Sequence, residues 1–123
     1  MRRRSGLKRK RGVRKVNPER RARLREVQYG SDEFMAWIHG QACVLCRYRY
    51  AADEIHAHHV VSRGAGGTWQ SVVPLCHGCH RFVHDHGPAK ARLATGVDLE
   101  QAAREIQARW VERVAGPEQA DAA

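Results

Sequence analysis

The sequence predicts a small α+β domain organised around metal ligands: two short strands, a helix behind them, flanking helices and a basic arm in front. Three observations predict it. The four cysteines fall as two Cys-x2-Cys pairs, Cys43/Cys46 and Cys76/Cys79, with 29 residues between them. Seven of the eight histidines crowd between His56 and His86. Charge is lopsided: thirteen of the 22 Lys and Arg lie in residues 1–25 beside a single acid, Glu19, whereas residues 26–123 carry a slight acidic excess.

A chain of 123 residues with 42% hydrophobic content and three Trp supports one folded domain with tails. No run of 18 apolar residues is present, which excludes a membrane-spanning helix. The N-terminal charges have no apolar stretch behind them, so a secretory signal is not expected and a reducing, cytoplasmic compartment is. In that compartment paired cysteines read as metal knuckles, with a disulfide framework as the alternative. So small a core also gains from a structural metal.

Residues 1–16 are expected to be a disordered basic arm: Arg2, Arg3, Arg4, Lys8, Arg9, Lys10, Arg11, Arg14 and Lys15 repel one another and bury nothing. Their density suits non-specific contact with DNA phosphates, against the plainer reading of a solubilising tail or targeting signal. The domain itself is expected over 17–115. Asn17-Pro18 starts a helix that runs to about Tyr29 and stops at Gly30. Ser31 caps a short second helix, with Phe34 and Ile38 on one face, closing at Gly40. A strand-like run follows the first knuckle at Glu54–Val61, then a loop, Ser62–Thr68, whose three glycines permit positive φ and close backbone approach to a ligand. Arg63 in this loop is a further phosphate contact. A second strand, Ser71–Leu75, leads to the second knuckle and a helix from Cys79 to about His86, ended by Gly87-Pro88. Asp98 caps the last helix, whose Leu99, Ala102, Ala103, Ile106, Trp110 and Val114 form one apolar stripe. That stripe should be core or pack on the helix after Asn17; residues 116–123 should fray.

The chemistry lies in the cysteines and histidines. Cys43, Cys46, Cys76 and Cys79 fit a tetrahedral structural zinc site of four thiolates. A finger made of Cys43, Cys46, His80 and His84 fails on spacing and leaves two cysteines idle. His80 and His84, four apart on a helix, project from one face as half of a second metal site, and His58 or His59 on the preceding strand can complete it. Three ligands with an open position would make that site catalytic. His77 and His86 suit solvent- or DNA-facing roles; His39 and His56 have none.

The string His58-His59-Val60-Val61, a glycine loop, then Val73-Pro74-Leu75-Cys76-x2-Cys79-His80-x3-His84 resembles the HNH (ββα-metal) endonuclease motif. More narrowly it is similar to the four-cysteine, zinc-containing HNH proteins of phages and prophages, over about residues 42–85. The resemblance implies a ββα-metal core wrapped on one divalent ion (Mg²⁺, Mn²⁺, Ni²⁺ or Zn²⁺). It further implies His58 as the strand ligand, His59 as general base, His84 as the terminal helix ligand and His80 as the additional helix ligand of colicin-type DNases. Ser71 stands where the family's asparagine steadies the loop and orients the base. The implied partners are DNA and phage or host proteins of recombination, packaging or restriction. A neutral imidazole is well placed to take a proton from water at neutral pH, and one ion can stabilise the developing charge and the leaving oxygen. Two other readings compete: a zinc module that binds nucleic acid without cutting it, favoured by Ser71, and an RNA-directed nuclease.

Overall fold

The computed structural model of the chain describes residues 17–122; the arm residues Arg2 to Lys15 lie outside that range. Asn17 caps α1 (Pro18–Tyr29), its Oδ1 accepting the Glu19 and Arg20 amides at 2.8 and 3.3 Å. Gly30 ends α1 at φ +80°, and a Cβ there would come within 3.0 Å of Phe34 and 3.2 Å of Trp69. Ser31 caps α2 (Asp32–His39) through its hydroxyl to the Phe34 amide at 3.1 Å. Phe34 and Ile38 are the buried face of α2, whereas α1 buries none of its residues.

β1 (Ile55–His59) and β2 (Val72–Cys76) pair antiparallel in a two-stranded sheet, with Ile55 opposite Cys76 and His59 opposite Val72. One further backbone bond, from the Val60 amide to the Ser71 carbonyl at 2.9 Å, extends the ladder. Ser71 itself belongs to a short 3-10 turn, Trp69–Ser71, so β2 starts one residue later than expected and ends one residue later. Every residue of β2 is buried, which explains its unbroken apolar run.

α3 (His77–Thr95) starts two residues before the expected Cys79, because Cys76 acts as its cap and accepts the Cys79 amide at 3.4 Å. Gly87, at φ 89° and ψ 165°, breaks it at the expected place. The chain does not leave the helix there for long: Pro88 begins a second helical stretch that buries Ala91 and closes at Gly96. This stretch was not foreseen, because Gly-Pro reads as a stop although Pro is also a good first helical residue. α4 (Leu99–Ala122) is capped by Asp98, whose Oδ1 accepts the Glu100 amide at 3.0 Å. It runs past the expected boundary at 115.

The α4 stripe forms core at Leu99, Ala102, Ala103 and Ile106, but Val114 is exposed. Its packing partners are β2 and the Trp69 turn, not α1. Trp110 meets Phe34 edge-on and Trp37 at a tilt, with ring centroids 5.2 and 5.3 Å away, and Trp69 meets Phe34 edge-on at 5.0 Å. These aromatic contacts tie α2, the turn before β2 and α4 into one core. Among the described residues no helix is long and apolar enough to cross a membrane.

Candidate metal centres

Each Cys-x2-Cys pair sits on a tight turn that aims both sulfurs one way. In the first, the Arg47 amide donates to the Cys43 carbonyl at 2.9 Å, and Arg47 takes a left-handed φ of 70° to close it. In the second, the cap of α3 supplies the turn. The Val44 amide donates to the Pro74 carbonyl at 3.1 Å and lashes the first knuckle to β2. The four Sγ atoms consequently lie within 4.8 Å of one another. Cys46 and Cys76 Sγ are 3.9 Å apart, far beyond the ~2.05 Å of a disulfide. All four cysteines are free thiols, so the disulfide alternative is set aside. The cluster is positioned to bind a metal such as zinc.

The thiols differ in their readiness to ionise. Burial pushes Cys43 and Cys79 up. Burial also raises Cys46, but hydrogen bonds from the Tyr50 hydroxyl, the Tyr48 backbone and the neighbouring cysteines outweigh it and hold Cys46 at about 7. Hydrogen bonding to Cys46 pushes the Tyr50 hydroxyl up in turn. Four thiolates so close repel one another, and a divalent cation removes that repulsion.

The histidines make a second assembly, between β1 and the first turns of α3. Adjacent strand residues point to opposite faces, and β1 obeys this. His56 and His58 share the face that looks at α3, where His80 meets both, with ring centroids at 5.0 and 5.1 Å. His56 and His80 touch through their Nδ1 atoms at 2.8 Å. His77 is 5.4 Å from His56 by ring centroids. His84 lies one turn beyond His80, its side chain 84% exposed and its Nδ1 3.7 Å from Asp85 Oδ1. His56, His77, His80, Arg81, His84 and Asp85 line an open groove. Burial, then the charges of His80, His59 and His84, lower His58 to about 4, so it is a neutral imidazole at neutral pH. Burial likewise lowers His80, with His56 next in effect. Among the described residues the four cysteines are the one group of three or more candidate ligands gathered closely enough to hold an ion; His58, His80 and His84 are not so gathered.

His59 points the other way, towards α1. Its Nε2 is 2.5 Å from the Gln28 carbonyl, and Tyr29 meets the ring edge-on at 4.9 Å. A carbonyl only accepts, so Nε2 carries the proton and Nδ1 of the neutral ring keeps its lone pair. Arg63 is exposed, its guanidinium 5.9 Å from the Tyr29 ring centroid. Ser71 Oγ donates to the Thr68 carbonyl at 3.0 Å, and its own carbonyl takes the Val60 amide, so Ser71 fastens the loop. The close approach that the loop glycines permit is made, at Gly67, to the chain's own Val61 carbonyl. Two residues that sequence reasoning left out of the site belong to this region. His56 was recoverable from the two-residue period it shares with His58. Gln28 acts through its backbone, which leaves no mark in the sequence.

Comparison with known proteins finds no matching family model, no matching curated protein and no matching solved structure.

Proposed function

We propose that the chain is a metal-dependent HNH-type endonuclease that hydrolyses DNA phosphodiester bonds. His59 is the general base, His58 and the α3 histidines hold one divalent ion, and the four cysteines hold a structural zinc that fixes the hairpin to α3. One observation supports the reading: neighbouring His58 and His59 are turned to opposite faces of the strand. His58 is kept neutral beside His80, and His59 is held by the Gln28 carbonyl with Nδ1 free to take a proton. Water attack on a phosphodiester needs such a base, and an ion at the imidazoles would supply charge for the phosphorane and the leaving oxygen. Arg63 lies over the Tyr29 ring that also meets His59, and would offer its cation to a phosphate there. Residues 1–15 add a dense positive charge for non-specific attachment.

Plasmid cleavage with Mg²⁺, Mn²⁺ or Ni²⁺ added back tests it. His59→Ala should lower turnover by roughly 10²–10⁴ while DNA binding persists, since a general base acts in the transition state. A wild-type protein that binds DNA tightly and cuts none with any of these ions is a binding module instead; cleavage of RNA alone would move the substrate.

A further inference from the structure

α1 contributes nothing to the core. Pro18 to Val27 are all exposed, and the helix meets the rest of the domain through Gln28, Tyr29 and Gly30 at its C-terminal end. We propose that α1 is a docking helix for duplex DNA: Arg21 and Arg25 form a track of phosphate contacts that continues through Arg63, over Tyr29, and ends at His59. The inference rests on the DNA-cleaving reading and names the surface that brings the strand to the base.

Position, charge and cost carry it. Arg21, Arg25 and Tyr29 are four apart and so lie along one face of the helix. At the foot of that face the Gln28 carbonyl holds His59 Nε2, the Tyr29 ring meets His59 edge-on at 4.9 Å, and the Arg63 guanidinium is 5.9 Å from the Tyr29 ring centroid. Arg20 and Arg23 fall on other faces. On α1 the four arginines stand against two acids, Glu19 and Glu26. Among the described residues only Arg25 of the four has an ion-pair partner, Asp32 at 3.5 Å. Both side chains of that pair are exposed, so a phosphate oxygen can compete for Arg25. A helix of 12 residues is marginal in water without an apolar face on a core, and α1 buries none of its residues. Arg20 and Arg21 also sit at the positive end of the helix dipole, and Arg21 repels Arg25 one turn on. The Asn17 cap offsets part of this. A polyanion along the arginine face removes the rest. Duplex DNA, with one charge per ~1.7 Å of axis, is dense enough to engage α1, Arg63 and the nine Lys and Arg of residues 1–15 together.

The test follows binding of a fluorescein-labelled DNA duplex to the zinc-loaded full chain by anisotropy, from about 50 to 200 mM salt and without Mg²⁺. Two double variants remove equal charge. Arg21→Gln with Arg25→Gln should flatten the slope of log K against log salt by about 1.8, so that roughly tenfold less affinity is lost over that range. Arg20→Gln with Arg23→Gln should flatten it by less than half as much. Ala22→Pro keeps every charge and breaks the helix, so it should weaken binding while the near-ultraviolet signal of the tryptophans persists. Equal slopes for the two double variants overturn the proposal, because charge alone then accounts for α1. So does undiminished binding by Ala22→Pro. Dependence on Arg21 and Arg25 with duplex RNA, and none with DNA, overturns the choice of partner. DNA cleavage is scored separately: a protein that binds DNA through this face and cuts none refutes the nuclease reading and leaves the docking helix standing.

Discussion

The loop between the strands turns on Gly67, and replacing it should cost far more than replacing its neighbours. A Cβ at Gly67 would lie 1.8 Å from the Val61 carbonyl oxygen and 2.7 Å from that of Ser62. Both are backbone atoms, so no side chain can swing aside. Restoring an ordinary 3.4 Å contact moves the backbone by about 1.6 Å. That displacement breaks the hydrogen bond from the Gly67 amide to the Ser62 carbonyl (2.8 Å) and strains those from the Ala65 and Gly66 amides to the Ser62 and Arg63 carbonyls. At ~0.5–1.5 kcal/mol for each bond, Gly67→Ala should lose about 2–4 kcal/mol. Gly66, at φ +90° in open space, should lose about 1 kcal/mol as alanine. Gly64 has open space and no left-handed φ, so Gly64→Ala should be neutral or gain up to ~1 kcal/mol. Urea unfolding of the three zinc-loaded variants, followed by tryptophan fluorescence, ranks them. Equal midpoints for Gly67→Ala and Gly64→Ala would refute the account of the loop.

Elemental analysis should find one zinc per chain on the cysteine cluster, and a strong chelator under reducing conditions should unfold the domain; a folded, metal-free protein contradicts this. The lowered His58 gives a pH dependence with a definite sign. Its folded-state value of about 4 lies below the ordinary 6.5, so the unfolded chain binds the extra proton between those limits. Stability from the neutral ring is present above pH 6.5 and is lost as pH falls towards 4. Thermal unfolding midpoints should therefore fall less steeply over that window in His58→Gln than in wild type, and identical slopes would contradict it. Removal of residues 1–15 should weaken binding to all DNA sequences alike and flatten its dependence on salt; an unchanged salt slope assigns those residues no phosphate contacts.

What the sequence revealed and what it hid divide along physical lines. Caps are local chemistry, so Asn17, Ser31 and Asp98 announced their helices, and the Cys-x2-Cys spacing announced a metal cluster. The α4 stripe was legible as a face, but its partner was not. α1 was the expected neighbour, yet its four exposed arginines leave it without an apolar face to offer, and α4 settled on the all-buried β2 instead. The histidines show the same limit. Spacing along α3 grouped His80 with His84, whereas the strand brought His56 to His80 from 24 positions away. Contacts of that kind depend on strand register, which no local window contains.

Register is where the cysteine cluster and the histidine groove become linked. A two-stranded hairpin is marginal by itself, and a slip of one residue would turn His56 and His58 away from α3 and His59 towards it. The slip is opposed at both ends of the sheet. At the loop end, Gly67 packs on the backbone of Val61 and Ser62, while the Ser71 carbonyl holds the Val60 amide. At the other end Cys76 has three duties: it pairs with Ile55, caps α3 and belongs to the four-thiol cluster. A metal on those thiols anchors the last residue of β2 and the first turn of α3 to the 43–46 knuckle. It thereby sets both the strand register that aims His56 and His58 and the helical phase that aims His77, His80 and His84. Thiolates suit that task because four of them close the shell of an ion and hold it tightly.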